Sequence, residues 1–317
     1  MTGAMLYGHM VRSWLERDRG KHQLAPEHKE RLMEHCAADL WRSGARVWEI
    51  DRLEQWLVDF LGAHPEIAAH YATRDRELLK EDLRTATFLV REGEDRFRFA
   101  HSSLLEFFLA RFLYRALLDG APERWALPPA SPESLDFLGQ MLDEDAGRDA
   151  ALATLRMLRD AYRPLASEQW LRYTLVATGK GYPAPTLARA RLEGADLRAW
   201  VIAGSESAPL NLAGAVFRGA RLSGARFEHA RLDGADVTGA DLARAEIFHV
   251  RAEDGRFDGA LLTGTLFRDA RLRGASFVEA RCHRTQWLGC RLADTLGLPE
   301  GPPAAFFAAA NPLVRMG

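Results

Sequence analysis

Few residues in this 317-residue chain have types and spacing that could do chemistry. His101-Ser102-Ser103 places a base next to two hydroxyls, but adjacency along the chain supplies no base–nucleophile geometry. Glu34-His35-Cys36 lies within one helical turn, where immediate neighbours do not face each other. There is no H-E-x-x-H and no paired C-x-x-C, so no metal centre is indicated. The G-x-x-x-x-G-K-[ST] loop that cradles nucleotide phosphates is also missing, and the few lysines stand in none of the required contexts. What does recur is arginine. Arg191, Asn211, Arg231, Arg251, Arg271 and Arg291 follow one another every twenty residues. Guanidinium groups in such a series suit carboxylate or phosphate recognition.

A period of twenty needs an element that repeats, and the C-terminal half supplies one. From Pro185 to Asp294 the chain reads in fives without a slip: PTLAR, ARLEG, ADLRA, WVIAG, SESAP, LNLAG, AVFRG and onward to CRLAD. The third position is apolar in every unit except SESAP, and the first is mostly Ala. Lys, Met and Tyr are absent from this stretch. The composition shift sets a domain boundary near Lys180-Gly181-Tyr182-Pro183.

These units resemble the pentapeptide-repeat family, which implies a right-handed, four-sided β-helix with four pentapeptides per coil. In that fold the central Leu or Phe points inward. The small first residue also points inward, where a larger group would force the coils apart. Sorting by twenties puts Leu187, Ser207, Phe227, Ile247, Phe267 and Trp287 on one face, and Leu197, Phe217, Val237, Phe257 and Phe277 opposite. All central Phe residues then meet across the axis. Cys282 and Cys290 occupy inward positions, as inert core thiols. A bulged loop is expected at Ser205-Glu206-Ser207-Ala208-Pro209, near Trp200, which breaks the small-residue pattern.

On this scheme the arginine series is an outward ladder at the strand spacing. Glu193, Asp233 and Glu253 lie where they can neutralise Arg191, Arg231 and Arg251, whereas Arg271 is followed by Arg273 and Arg291 by Ala293. An acidic-partner surface is therefore expected around Arg271, Arg273 and Arg291, with Arg251 and Arg231 extending it. Both ends of a β-helix expose unpaired edges that need covers. The helical N-terminal half is expected to cover one end, and Phe306 and Phe307, on a short helix after Pro303, the other.

Residues 1 to about 180 read as mostly helical. Apolar residues recur at helical spacing over Leu6–Leu15, Leu32–Trp41 and Leu53–Leu61, the last with Asp51 as N-cap. A helix from Asp75, a hairpin turning at Gly93-Glu94-Asp95 and a helix over Leu104–Leu118 make a winged-helix-like arrangement. Further helices are expected over 131–144, 147–161 and 166–179. Phe97, Phe99, His101, Ser103, Leu104, Glu106, Phe107, Phe108 and Ala110 resemble the region that follows the ATPase core in NACHT-type signal-transduction NTPases. Leu104 departs from the aromatic usual there. The resemblance implies that His101 is a nucleotide sensor. With no P-loop, ATP or ADP would be met only through a partner NTPase chain; otherwise His101 caps its helix.

The expected fold class is α + β, a helical, winged-helix-like N-terminal domain followed by a right-handed quadrilateral β-helix. Its divisions are 1–122, a helical linker region 123–183, the repeats 184–295 and a cap 296–317. The expected function is a non-enzymatic regulatory or sensing module of a bacterial NACHT-like signalling or defence protein, with no cofactor of its own and a protein partner on the repeats. The alternative is a DNA mimic acting on a type II topoisomerase. Such rods are strongly acidic, whereas here Arg slightly outnumbers Asp plus Glu in the repeats. The net charge of −2 disfavours nucleic acid. The most apolar stretch, Leu104–Leu118, is too short and too charged for a bilayer. Three cysteines without a pairing framework point to the cytoplasm.

Overall fold

A computed structural model describes residues 1–17, 23–84 and 88–298. It divides into two compact units, 1–151 and 152–317. That division falls within the stretch expected to be a helical linker.

The first unit is built around a helix that buries most of its surface and keeps one narrow polar face. It begins with α1 (Gly3–Arg17), α2 (Pro26–Ser43), β1 (Trp48–Glu49), α3 (Ile50–Ala63) and α4 (Pro65–Ala68). A 3-10 turn at Ala69–Tyr71, α5 (Arg76–Arg84), β2 (Leu89–Glu92), β3 (Arg96–Phe99) and α6 (Ser102–Leu118) follow. A second 3-10 turn at Pro122–Trp125, α7 (Pro132–Glu144) and the start of α8 (Arg148–Asp160) complete it. Phe107, Phe108, Leu109, Leu113 and Leu117 of α6 are all buried, while Glu106, Arg111 and Arg115 are partly exposed on its narrow polar face. The hairpin turns at Gly93, whose φ of 73° favours a residue without a Cβ.

Two features differ from expectation. Trp48 and Glu49 pair antiparallel with Phe97 and Arg96, so the sheet has three strands in the order β1-β3-β2. Asp51 lies in the first turn of α3; the N-cap is Glu49, without a side-chain bond.

The second unit holds the rest of α8, α9 (Ala166–Lys180) and the coils. Its strands are β4 (Val201–Ala203), β5 (Leu210–Asn211), β6 (Arg226–Glu228), β7 (Ala230–Arg231), β8 (Glu246–Phe248), β9 (Leu266–Arg268) and β10 (Gln286–Leu288). β10-β9-β8-β6-β4 form one five-stranded parallel sheet. Apart from the units ending at Gly204 and Pro209, each five-residue unit ends in the left-handed region, at Gly or at residues such as Arg244 (φ 56°) and Asp269 (φ 53°), and so turns a corner. The first-position residues Ala190, Ala215, Ala240 and Ala275 are fully buried.

The coil length is twenty residues only after residue 210. Before that point, neighbours lie twenty-five apart: Arg191 bridges Val216, Asp196 bridges Arg221, and β4 pairs Ile202 with Phe227. Ser205–Pro209 is an exposed loop added to the first coil, so the bulge is where it was expected. Its effect on the face assignment was not anticipated. Leu187 belongs with Leu212 and Leu232, Leu192 with Phe217, and Ile202 with Phe227; Ser207 belongs to no inward face. Gly204 is required at the entrance, since a Cβ there would lie 2.6 Å from the Leu210 nitrogen and 2.7 Å from the His229 oxygen.

The aromatic residues do meet across the axis. Phe217 contacts Phe227 edge-on at 6.0 Å, and Phe257 contacts Phe267 at 6.2 Å. Along the axis Phe257 stacks on Phe277 at 4.9 Å and Phe267 on Trp287 at 4.3 Å. Over the first coil, the Glu168 carboxylate of α9 accepts from the Asp196 N–H at 3.2 Å, and Arg172 lies 5.0 Å above the Trp200 ring. Residues at the end of α8 and on α9 thus cover the first coil. Phe306 and Phe307 lie outside the described residues.

Candidate functional site

The arginine ladder is fixed by the backbone. Asn211 pairs with Arg231, and Arg231, Arg251, Arg271 and Arg291 bridge one to the next. Each arginine from 251 onward donates its N–H to the preceding coil, Arg251 to Ala230, Arg271 to Val250 and Arg291 to Ala270, at 2.8–2.9 Å. The carbonyls of Arg231, Arg251, Arg271 and Arg291 accept from Leu212, Leu232, Ala252 and Leu272 of that same preceding coil, so their Cα atoms have little freedom. Arg191 is not part of this column. The inserted loop moves it to the column of Val216, on the neighbouring face, where it pairs with Glu193.

Charge compensation stops partway along the ladder. Arg251 is held by Asp233 at 3.0 Å and Glu253 at 3.4 Å, and Arg231 faces Asp233 at 3.7 Å. Arg271, Arg273 and Arg291 are exposed, and among the described residues no carboxylate pairs with any of them. Two coils thus present three free guanidinium groups from a rigid wall.

His101 belongs to the first unit. It is the N-cap of α6: its Nδ1 accepts from the Ser103 N–H at 3.2 Å and also contacts the Ser103 hydroxyl. The Tyr7 hydroxyl donates to Ser103 Oγ at 2.6 Å, tying α1 to the same cap. The imidazole is exposed and occupied with ending a helix.

The thiols are quiet. Burial drives the Cys36 thiol well above its ordinary range, and raises Cys290 to about 11 and Cys282 in the same direction. The last two are half-buried at their inward positions rather than fully enclosed. Among the described residues, no group of three or more His, Cys, Asp or Glu could hold a metal ion, and no helix is long and apolar enough to cross a membrane.

The reading from residues alone missed the histidine contacts of the first unit. His28 and His35 of α2 meet His70 and His64 at 4.9 and 4.7 Å, pinning the segment around α4. No spacing rule in the sequence joins those partners.

Comparison with known proteins supports the repeat unit. A family model described as pentapeptide repeats matches residues 211–246 and 256–286. No curated protein matches the chain. Among solved structures, HetL, a pentapeptide-repeat protein involved in heterocyst differentiation regulation in the cyanobacterium Nostoc sp. strain PCC 7120, is 26% identical. That match covers 36% of this chain and 48% of HetL, with a TM-score of 0.30, so it spans about half of that protein's length. Rfr23 from the cyanobacterium Cyanothece 51142 is 19% identical over 34% of this chain and 90% of its own, at a TM-score of 0.26. QnrB1, a plasmid-mediated fluoroquinolone resistance protein, is 20% identical over 34% of this chain and 73% of its own, at 0.17. The five-residue period, the inward alanines, the parallel coils and the family match agree: the chain carries a pentapeptide-repeat domain, a parallel β-solenoid that follows a helical region.

Proposed function

We propose that this chain is a non-enzymatic recognition module whose repeats bind an acidic protein partner through Arg271, Arg273 and Arg291, with Arg251 and Arg231 as the flank. One observation carries the reading: the ladder keeps its backbone geometry across four coils but loses its carboxylates over the last two. The backbone of the wall is already ordered, so only the side chains lose freedom on binding. Their planar forks match carboxylates in pairs. The setting we infer is a NACHT-like signalling or defence protein, supported by the α5–hairpin–α6 arrangement and the Phe97-to-Ala110 pattern. His101 would then meet ATP or ADP only if a partner NTPase chain brought it.

The test is capture of bound proteins from the native host on the intact chain and on an Arg271→Glu, Arg273→Glu, Arg291→Glu variant. The expected result is an acidic partner recovered by the first and lost by the second, at unchanged melting temperature. Equal recovery by both chains would remove the surface from the argument. Recovery of gyrase would replace this reading with the topoisomerase-directed one, which the cationic ladder does not favour.

A further inference from the structure

The first unit contains a second kind of site, independent of the repeat surface. α3, the 3-10 turn at Ala69–Tyr71 and α5 enclose a cavity of about 310 Å³. Leu57, Val58, Leu61, Ala68 and Leu79 make an apolar wall. Leu57 and Leu79 are almost fully buried. Tyr71 also lines it and is anchored from behind, its hydroxyl accepting from the Ala25 N–H at 3.0 Å and meeting His28 Nδ1 at 2.6 Å. The wall is therefore built rather than adventitious.

The mouth is cationic. Arg74, Arg76 and Lys80 border it. Lys80 is engaged by Glu77 at 2.7 Å and Glu54 at 3.2 Å, and the Asp75 carboxylate accepts from the Glu77 N–H at 2.9 Å. Arg74 and Arg76 are exposed, and among the described residues neither has a carboxylate partner. The nearby acids are thus spoken for, while two guanidinium groups remain open above an apolar hollow. A larger cavity, between α1, α6 and α7, lacks this polarity: its Arg111 and Arg115 are already paired with Glu30 and Glu34.

The geometry points to a binding site for a small amphiphilic anion, a medium-chain carboxylate whose alkyl chain fills the α3–α5 cavity and whose head meets Arg74 and Arg76. The volume lies at the small end of ligand pockets, which suits a single short chain and not a cofactor. Burying the chain supplies the driving force, and the two arginines select the sign of the head group.

The test is titration calorimetry of the full chain with octanoate, with acetate and octylammonium as controls. Octanoate should bind, acetate should not, and octylammonium should bind at least tenfold more weakly. Arg74→Glu with Arg76→Glu should reduce octanoate affinity at least tenfold at unchanged melting temperature. Ala68→Phe, which fills the hollow without touching the charges, should abolish binding. The proposal is overturned if octanoate fails to bind the intact chain at millimolar concentration, if octylammonium binds equally well, or if both folded variants keep the affinity. None of these outcomes bears on capture of an acidic protein by the repeats.

Discussion

Deleting Ser205–Pro209 separates an inserted loop from a face of the coil. The structure gives the geometry of the join. A Cβ on Gly204 would stand 2.6 Å from the Leu210 nitrogen, so the two ends of the loop already lie within reach of a peptide bond. Inside the loop, Ser205 and Ala208 exchange backbone bonds at 3.1 and 3.2 Å, and all five residues are exposed. Removing them loses little that water does not replace. It also relieves the closure entropy of a short loop, about 1 kcal/mol. The expected change in the melting of residues 152–298 is therefore between none and a rise of about 2–4 °C. If the five residues instead formed a side of the coil, deletion would shift Leu187, Leu192, Leu197 and Ile202 by a quarter turn. Their burial, at roughly 1.5–3 kcal/mol each, would be at risk, and the transition would fall by ten degrees or more. Scanning calorimetry of the full chain and the deletion variant decides between them. A fall of that size, or loss of a cooperative transition, would refute the twenty-five-residue first coil.

Acid should loosen the first unit through its partly buried imidazoles. Burial depresses His35 to about 3, with His64 and Arg31 adding to the effect, and lowers His28 with help from His70. A depressed histidine takes its proton in the unfolded chain first, so its contribution is whole above about pH 6.5 and falls as pH drops toward its folded value. Over two pH units His35 accounts for roughly 2 kcal/mol, discounted for partial exposure. His35→Phe, set among Phe60 and Phe112 at 5.2 and 5.1 Å, should flatten the dependence of urea midpoint on pH between 6.5 and 4.5; an unchanged slope would clear His35 of the role. Glu34 is buried and accepts from Arg115 at 2.7 and 2.9 Å and from Arg111 at 3.0 Å. Glu34→Leu deprives Arg115 of its partner and leaves Arg111 with Glu30 alone, and should cost about 2 kcal/mol, less than the 3–5 of a fully enclosed pair, because the guanidinium groups still reach water. Urea titration measures it, and a variant as stable as the parent would show the network to be dispensable.

The longer helices were legible from their apolar periodicity, and two of them also from a left-handed glycine at the end, Gly44 and Gly181. β1 was not, since two residues offer no alternation to read. The solenoid was legible down to the inward alanines, yet its stacking was misassigned before residue 210. The reason is arithmetical: an insertion of five residues preserves the phase of a five-residue repeat, so the pattern along the chain stays intact while the partners in space move by one side. One signal could have exposed this. A unit with no inward apolar residue has nothing to hold it in the wall, and leaving SESAP out of the tally places Ile202 against Phe227 as the structure does. The ladder from Arg231 to Arg291 was read correctly because it lies wholly beyond the insertion, and Arg191 was misplaced because it does not. The α3–α5 cavity depends on the reversal of the chain at α4, which no local pattern encodes.

The same backbone that makes the ladder legible explains why it persists uncompensated. Coils stack at about 4.8 Å, so the Cα atoms of one column cannot separate along the axis. In water, like charges at that distance repel by less than about 1 kcal/mol per neighbouring pair. That cost is small against a wall held by bonds from each ladder arginine's backbone to the coil before it, so folding does not demand acids opposite Arg271, Arg273 and Arg291. Where acids do occur they do more than cancel charge: Asp233 accepts from both the Arg251 side chain and the Glu253 N–H, closing the outer surface of two coils. Among the described residues, the last two coils have no such closure on this face, although Asp258 accepts from the Val278 N–H on another. Their charges remain directed at solvent in a fixed array, and an approaching set of carboxylates would relieve the mutual repulsion as well as add its own bonds. The absence of Asp or Glu at 273 and 293 is thus tolerable for stability and favourable for recognition at the same positions.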